Sequence, residues 1–300
     1  MSEADQLDSA LVFTIPSLNA RGRVVRLGPA LDEILSSHAY PPAIAKLLAE
    51  ALVTAALLGT TLKEAGGQLT MQAQTENGLV DLLVADYHGG EMRGYVRHDP
   101  DKLAEAPADP SLFALFGKGY LAITFDQAAT GERYQGIVPL EGDSLADALE
   151  HYFVQSEQIP SLVRVEVAEA DGRYLAGGLL LQHLPDGEEG RERLHVRLDH
   201  PEWGHVRTLA ETVTGQELID PAIELEALVW RLYHDEEEVR VLPRIAFSKG
   251  CRCDDAHIRD VIGKFGAEER AEMADDDGVI RVSCEFCSKA FPIELSEIEA

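Results

Sequence analysis

The chain has 300 residues, 45% of them hydrophobic, and a formal net charge of −27. That length holds one large domain or two to three ordinary ones, with enough apolar material for a real core. The acidic balance argues against nucleic acid, which needs clustered Lys and Arg, and equally against an anionic membrane surface, while self-repulsion favours solubility.

The first stretch, MSEADQLDSALVFTIPSLNARGR, begins acidic and has no apolar leader core, so no signal peptide is expected. The most apolar segment, AIAKLLAEALVTAALLGTTL at 43–62, carries Lys46 and Glu50 and follows Pro41 and Pro42. Ile44, Leu47, Leu48, Leu52, Ala55 and Leu58 recur at helical spacing, which predicts a buried amphipathic helix and no bilayer span. A soluble, cytosolic protein is expected.

Short alternating segments follow. QLTMQAQT places Leu69, Met71 and Ala73 on one face, and YLAITFD does the same with Leu121, Ile123 and Phe125. In DSLADALEHYFVQSEQ, Ser144 and Asp147 resemble a capping box ahead of a stripe of Leu145, Leu149, Tyr152 and Phe153. LVRVEVAEADGRYLAGGLLLQHL reads as two strands around an Asp171-Gly172 turn. Strands and helices without regular βαβ alternation predict an α+β core domain over 1–185.

Near Pro185 the composition turns to Pro, Gly and charge, which predicts a domain border. In the segment 186–246, Thr214 and Glu217 repeat the capping-box pattern, and Asp220-Pro221 reads as an N-cap with proline at the first helical position. Ile223, Leu228 and Leu232 then recur at helical spacing, with Trp230 and Tyr233 close by. This helical linker is too small to bury much alone, so it should lean on a neighbour with marginal stability. In the last segment, 247–300, DDAHIRDVIGKFG predicts a capped helix ending at Gly266, DDDGVIRVSC a turn into a strand, and KAFPIEL another short strand. A piece this small needs a staple besides its core.

The only four cysteines supply one. Cys251, Cys253, Cys284 and Cys287 form a Cys-x-Cys pair and a Cys-x-x-Cys pair thirty residues apart. Two chelating pairs in a cysteine-free background point to a Cys₄ metal site, zinc foremost; spacing alone leaves iron open. In a reducing cytosol such thiols bind metal before they form structural disulfides. Most Cys₄ zinc sites are inert staples, yet each pair can also close on itself as a local disulfide, and thiolates are the form oxidants attack. A thioredoxin-like role for CEFC would not need CRC thirty residues earlier. His195, His200, His205, His234 and His257 are not needed as ligands, although His257 lies close enough to CRC to tune it. The acidic runs HDEEE (234–238) and DDDG (275–278) lack a Ca²⁺-loop pattern. No Walker-type phosphate loop and no convincing Ser/His/Asp set is apparent, so no enzyme activity is expected.

CRC at 251–253 and CEFC at 284–287 resemble the zinc centre of the 33 kDa heat-shock proteins, the redox-regulated holdase chaperones. The resemblance extends through GQLTMQAQTENGLVDLLVADYHGGEMRGYVR (67–97), GKGYLAIT (117–124), GERYQGIVPLEGDSLADALEHYFVQSEQIPS (131–161), AGGLLLQHLP (176–185), LAETVTGQELI and LVWRLYHDEEEVRV, and so from about residue 8 to 296. Asp254 stands where a serine is common in the family, and FSKGCRCDD is slightly rearranged; neither removes a ligand. The resemblance implies an N-terminal α+β core, a metastable helical linker and a C-terminal zinc module at the borders given above. It implies an inactive reduced form with one Zn²⁺ per chain. Under peroxide with unfolding stress, or hypochlorous acid, it implies disulfides Cys251–Cys253 and Cys284–Cys287, zinc release, and linker destabilisation. It further implies ATP-independent binding of unfolding client proteins and a homodimeric active form. The alternative reading is a constitutive protein-binding scaffold with an inert zinc staple.

Overall fold

A computed structural model of the chain describes residues 7–62, 66–128, 131–184 and 200–298. The acidic first residues, the border near Pro185 and His195 lie outside the described residues. In chain order the elements begin with β1 (Ser9–Ile15), β2 (Ala20–Leu27), α1 (Pro29–Leu35), α2 (Pro42–Gly59), β3 (Gln68–Gln74), β4 (Val80–His88) and β5 (Glu91–His98). Next come α3 (Pro100–Glu105), α4 (Leu112–Phe116), β6 (Tyr120–Asp126), β7 (Arg133–Pro139), α5 (Leu145–Tyr152), β8 (Ser161–Ala170) and β9 (Arg173–His183). The middle segment carries α6 (Pro201–Ala210), α7 (Gly215–Ile219) and α8 (Leu225–Tyr233), then the short strands β10 (Arg240–Val241), β11 (Ile245–Ala246) and β12 (Ser248–Lys249). The chain closes with α9 (Asp255–Gly263), α10 (Ala267–Met273), β13 (Val279–Ser283), β14 (Ala290–Glu294) and α11 (Leu295–Ile298).

The architecture is α+β. One six-stranded sheet has the order β10-β1-β2-β9-β8, with β11 also on β1, and the other runs β12-β5-β4-β3-β6-β7. Helix α2 lies between them, packed on β2, β8 and β9 of the first and on β3, β4 and β5 of the second. It is long and apolar enough to cross a membrane, but 78% of it is buried inside the fold. Its sequence reads as amphipathic; the structure buries nearly every side, because two sheets cover it, and leaves Lys46 at the exposed margin.

The alternating segments become strands as their period requires: β3 buries Leu69, Met71 and Ala73 and half-exposes the residues between them. At the β8–β9 hairpin, Asp171 (φ 53°) and Gly172 (φ 75°) are both left-handed, the conformation a tight two-residue hairpin turn needs. The capping box of α5 forms as read, with Ser144 accepting from the Asp147 backbone N–H and Asp147 accepting in return.

The middle helices cover the face of the first sheet that α2 does not. Trp203, Val206, Leu225, Leu228, Leu232 and Tyr233 pack with Leu11, Phe13, Val24, Leu179 and Leu181 in a second core. Arg26, fully buried on β2, donates to the carbonyls of Leu218 (2.9 Å), Ile223 (2.8 Å) and Glu217 (3.2 Å) and so holds the end of α7. Thr214 and Glu217 form the predicted capping box. Asp220-Pro221 does not start a helix. Asp220 ends α7, and its side chain accepts from the Ala222 N–H at 2.9 Å in a turn, so that α8 begins at Leu225. An Asx turn competes for the same carboxylate that an N-cap would use.

Among the described residues of the C-terminal segment, the apolar cluster is small: Ile262, Ile280 and Ile293, with Ile258, Val282, Leu295 and Ile298 partly buried against them. The segment's predicted helix ends at Gly263, three residues early, because Gly266 opens α10 with Glu269 folding back on its N–H.

Candidate metal centre

Each cysteine pair sits where a regular element ends. β12 forms the edge of the second sheet, parallel to β5, and Gly250 N–H donates to the Met92 carbonyl at 2.9 Å, so Cys251 leaves directly from a paired strand. Asp254 accepts from the Ala256 N–H at 3.3 Å and caps α9, which fixes the far side of the CRC turn. Cys284 and Cys287 occupy the tip of the β13–β14 hairpin. There the Cys284 N–H donates to Lys289 O (3.0 Å), the Ser288 N–H donates to Cys284 O (2.8 Å), and Ser288 is left-handed at φ 55°.

The two turns bring all four sulfurs within 4.8 Å of one another. Cys251 Sγ lies 3.6 Å from Cys284 Sγ, and Cys253 Sγ lies 3.6 Å from Cys287 Sγ. A tetrahedral ion with Zn–S bonds of about 2.3 Å sets its sulfurs about 3.8 Å apart, so the cage fits a single ion. Both of these contacts join one turn to the other, so the cage is closed across the two turns. Electrostatics favours the same conclusion. Burial pushes the Cys251 thiol up, but hydrogen bonds from Cys253 and the other thiols outweigh it and lower its pKa to about 7. Burial and the neighbouring Cys251 push Cys253 up to about 12, and burial raises Cys284. Ionisation of one thiol is favoured and that of two of its neighbours opposed, and a cation at the centre relieves the repulsion among thiolates.

The cluster is seated on the core by residues that lie far away in the chain. Phe286, between the two hairpin ligands, packs edge-on against Tyr95 (5.0 Å, 89°), and the Arg93 guanidinium lies 3.9 Å over its ring. His38 Nε2 donates to the Phe286 carbonyl at 3.3 Å, while the Ser288 hydroxyl faces His38 Nδ1 at 3.3 Å. Burial lowers the pKa of His38, which keeps it neutral for this pair of contacts. Arg93 is itself held by Asp86 (2.7 Å), and Arg252, inside CRC, donates to Gln68 (2.8 Å). Lys249 donates to the Glu33 carbonyl (2.9 Å) and to Ser37 Oγ (2.6 Å) at the end of α1. None of these partners was legible as a site residue. The available signal was an aromatic side chain between two ligands, which in a tight turn must pack outward.

His257 lies exposed on α9. In DDDG, Asp275 accepts from the Val279 N–H (3.0 Å) and pairs with Arg281 (2.9 Å), which makes the run a turn.

A family model described as Hsp33 protein matches residues 8–294. The chain is 42% identical over 295 residues to a 33 kDa chaperonin of Caulobacter vibrioides, covering 96% of this chain and 95% of that one. It is 35% identical to the 33 kDa chaperonin of Cronobacter sakazakii, covering 99% and 95%. A crystal structure of the 33 kDa chaperonin homologue from Thermotoga maritima superimposes with a TM-score of 0.77 over 97% of both chains, a likeness of fold at 21% identity.

Proposed function

This chain belongs to the Hsp33 family of chaperones, and on that premise we propose that it is an ATP-independent holdase switched on by oxidation of its four cysteines. The observation that carries the reading is the four-sulfur cage, closed by 3.6 Å contacts at the end of a chain segment that is bonded to the core up to its first ligand. We propose a division into core (1–185), linker (186–246) and C-terminal module (247–300), in a cytoplasmic protein.

In the reduced state Cys251, Cys253, Cys284 and Cys287 hold one Zn²⁺ as thiolates. Bound zinc supplies the folding energy that so small an apolar cluster cannot. Oxidation joins Cys251 to Cys253 and Cys284 to Cys287. Four thiolates become two disulfides and give up four electrons; two molecules of peroxide accept them, with four protons, and leave as water. The sulfurs then cannot hold the ion. All four lie within 4.8 Å of one another, so pairing within each turn requires no long movement.

Release of the module unseats Phe286 and frees the strands that lead into it. The helices on the first sheet lose that anchor, and their departure uncovers Leu11, Phe13, Leu179 and Leu181 together with the apolar faces of the helices. That paired surface receives unfolding clients, and the active form dimerises. The net charge of −27 keeps the loaded complex dispersed.

The test is light scattering from a thermally unfolded client, with zinc-loaded reduced protein set against protein oxidised by peroxide at elevated temperature. Suppression by the oxidised form alone is expected. Equal suppression by both forms, or by neither, would make the cysteines a structural staple. Peptide mapping of the oxidised chain checks the pairing, and bonds Cys251–Cys284 and Cys253–Cys287 would contradict it.

A further inference from the structure

We propose a second metal site, separate from the thiol cage, formed by His183, His200 and Glu202 and suited to zinc or a similar divalent transition ion. Each residue offers one donor atom, and the three donors lie within 4.8 Å of one another. Two imidazoles and one carboxylate form a donor set zinc accepts, with a fourth position left for water or a ligand.

The local structure builds this cluster from two elements. His183 is the last residue of β9, 3% exposed, and its position is set by a backbone bond to the Pro160 carbonyl at 3.0 Å and by pairing with Ala20. His200 caps α6, and Glu202 is the second residue of that helix. His200 Nδ1 lies 3.7 Å from Glu202 Oε2. A tetrahedral ion with bonds of about 2.1 Å sets its donors about 3.4 Å apart, so small rotations close the set. His200 Nδ1 is buried and finds no hydrogen-bond partner among the described residues. Asn19 Nδ2 donates to Glu202 Oε2 at 3.4 Å and orients the carboxylate, as an outer partner of a metal ligand does. Trp203, 3% exposed and with its ring 6.0 Å from that of His183, walls the cluster with apolar surface.

An ion here ties the last strand of the core to the first described helix of the middle segment. Bound metal therefore opposes the departure of α6 from the sheet, and the set comes apart when α6 leaves.

The test is metal stoichiometry of the full-length chain. Reduced, metal-free protein is titrated with Zn²⁺ by calorimetry and with Co²⁺ by absorption. Two equivalents are expected, one with thiolate-to-cobalt charge-transfer bands and one without. His200→Ala and Glu202→Gln, both at half-buried positions, should each remove the second equivalent and leave the thiolate bands intact. The double variant Cys253→Ser, Cys287→Ser should lose those bands and keep the other equivalent. A wild-type chain that binds only the thiolate equivalent overturns the proposal, and so does a second equivalent that survives both His200→Ala and Glu202→Gln.

Discussion

Phe286 shows how a residue that binds no metal can report the state of the metal site. Its ring is held by Arg93 and Tyr95 from the hairpin tip that carries Cys284 and Cys287, so under the proposed switch its docking depends on those ligands. Phe286→Ala should leave metal affinity intact and weaken docking by about 1–2 kcal/mol, the sum of an aromatic pair and an exposed cation–π contact. Faster hydrogen exchange over 278–294, and chaperone activation at milder oxidation, are the expected readouts. Arg26 holds the middle helices to the first sheet. It is buried, and burial lowers its pKa to about 10 despite the nearby Asp220 carboxylate, so it remains charged at neutral pH. Its role is to satisfy carbonyls at the end of α7. Arg26→Met should cost about 1–3 kcal/mol for each buried carbonyl left without a partner. Urea unfolding should then show the middle segment leaving before the core.

Among the elements, α7 and α8 add ion pairs to their packing on the first sheet. Hydrogen bonds from Arg244 hold Glu226 below the ordinary glutamate value of 4.5, and bonds from Thr214 with help from Arg231 do the same for Glu217. Between the folded and unfolded values, the folded state therefore binds fewer protons. This stabilisation is complete above 4.5 and is lost as pH falls through the folded values. The stability difference between wild type and Glu226→Gln, measured by urea unfolding, should shrink from neutral pH to acid; a constant difference would contradict the assignment. The approach of α7 to the sheet depends on Gly177, where an added Cβ would lie 2.4 Å from the Leu218 carbonyl oxygen. Gly177→Val should displace α7 and destabilise the middle helices while the second sheet keeps its structure.

The elements also mark what the sequence made legible. Local chemistry was readable: period-two burial in β3, the Asp171-Gly172 turn, the capping boxes of α5 and α7, and the cysteine pairs as one cluster. Competing local bonds were not. Asp220 could cap a helix or close a turn, and Gly266 could end one helix or open the next. Nor were the long-range contacts. Nothing in spacing ties His38 and Tyr95 to Phe286, or Arg26 to Leu218, because those pairs exist only once two sheets and α2 have assembled.

At the scale of the whole molecule, residues 240–250 bond to both large sheets and lead into the cysteine turns. The Leu242 N–H donates to Val12 O (2.9 Å) and the Phe247 N–H to Asp8 O (2.7 Å) on the first sheet. The Ser248 N–H then donates to Gly90 O (3.0 Å) and the Gly250 N–H to Met92 O (2.9 Å) on the second. This segment pairs with both sheets and has the middle helices at one end and Cys251 at the other; under the proposed switch it is the route by which loss of the thiol cage would loosen the helices. Both tryptophans of the chain lie in the middle segment: Trp203 is 3% exposed against the first sheet, and Trp230 is 66% exposed. Trp230→Phe leaves Trp203 as a single probe of that contact. Its emission should be recorded in zinc-loaded reduced protein and after peroxide oxidation of the four thiols. A red shift that follows disulfide formation and reverses on reduction with zinc is expected. Unchanged Trp203 emission in an oxidised chain that suppresses client aggregation would contradict the coupling between the cysteine cage and the middle helices.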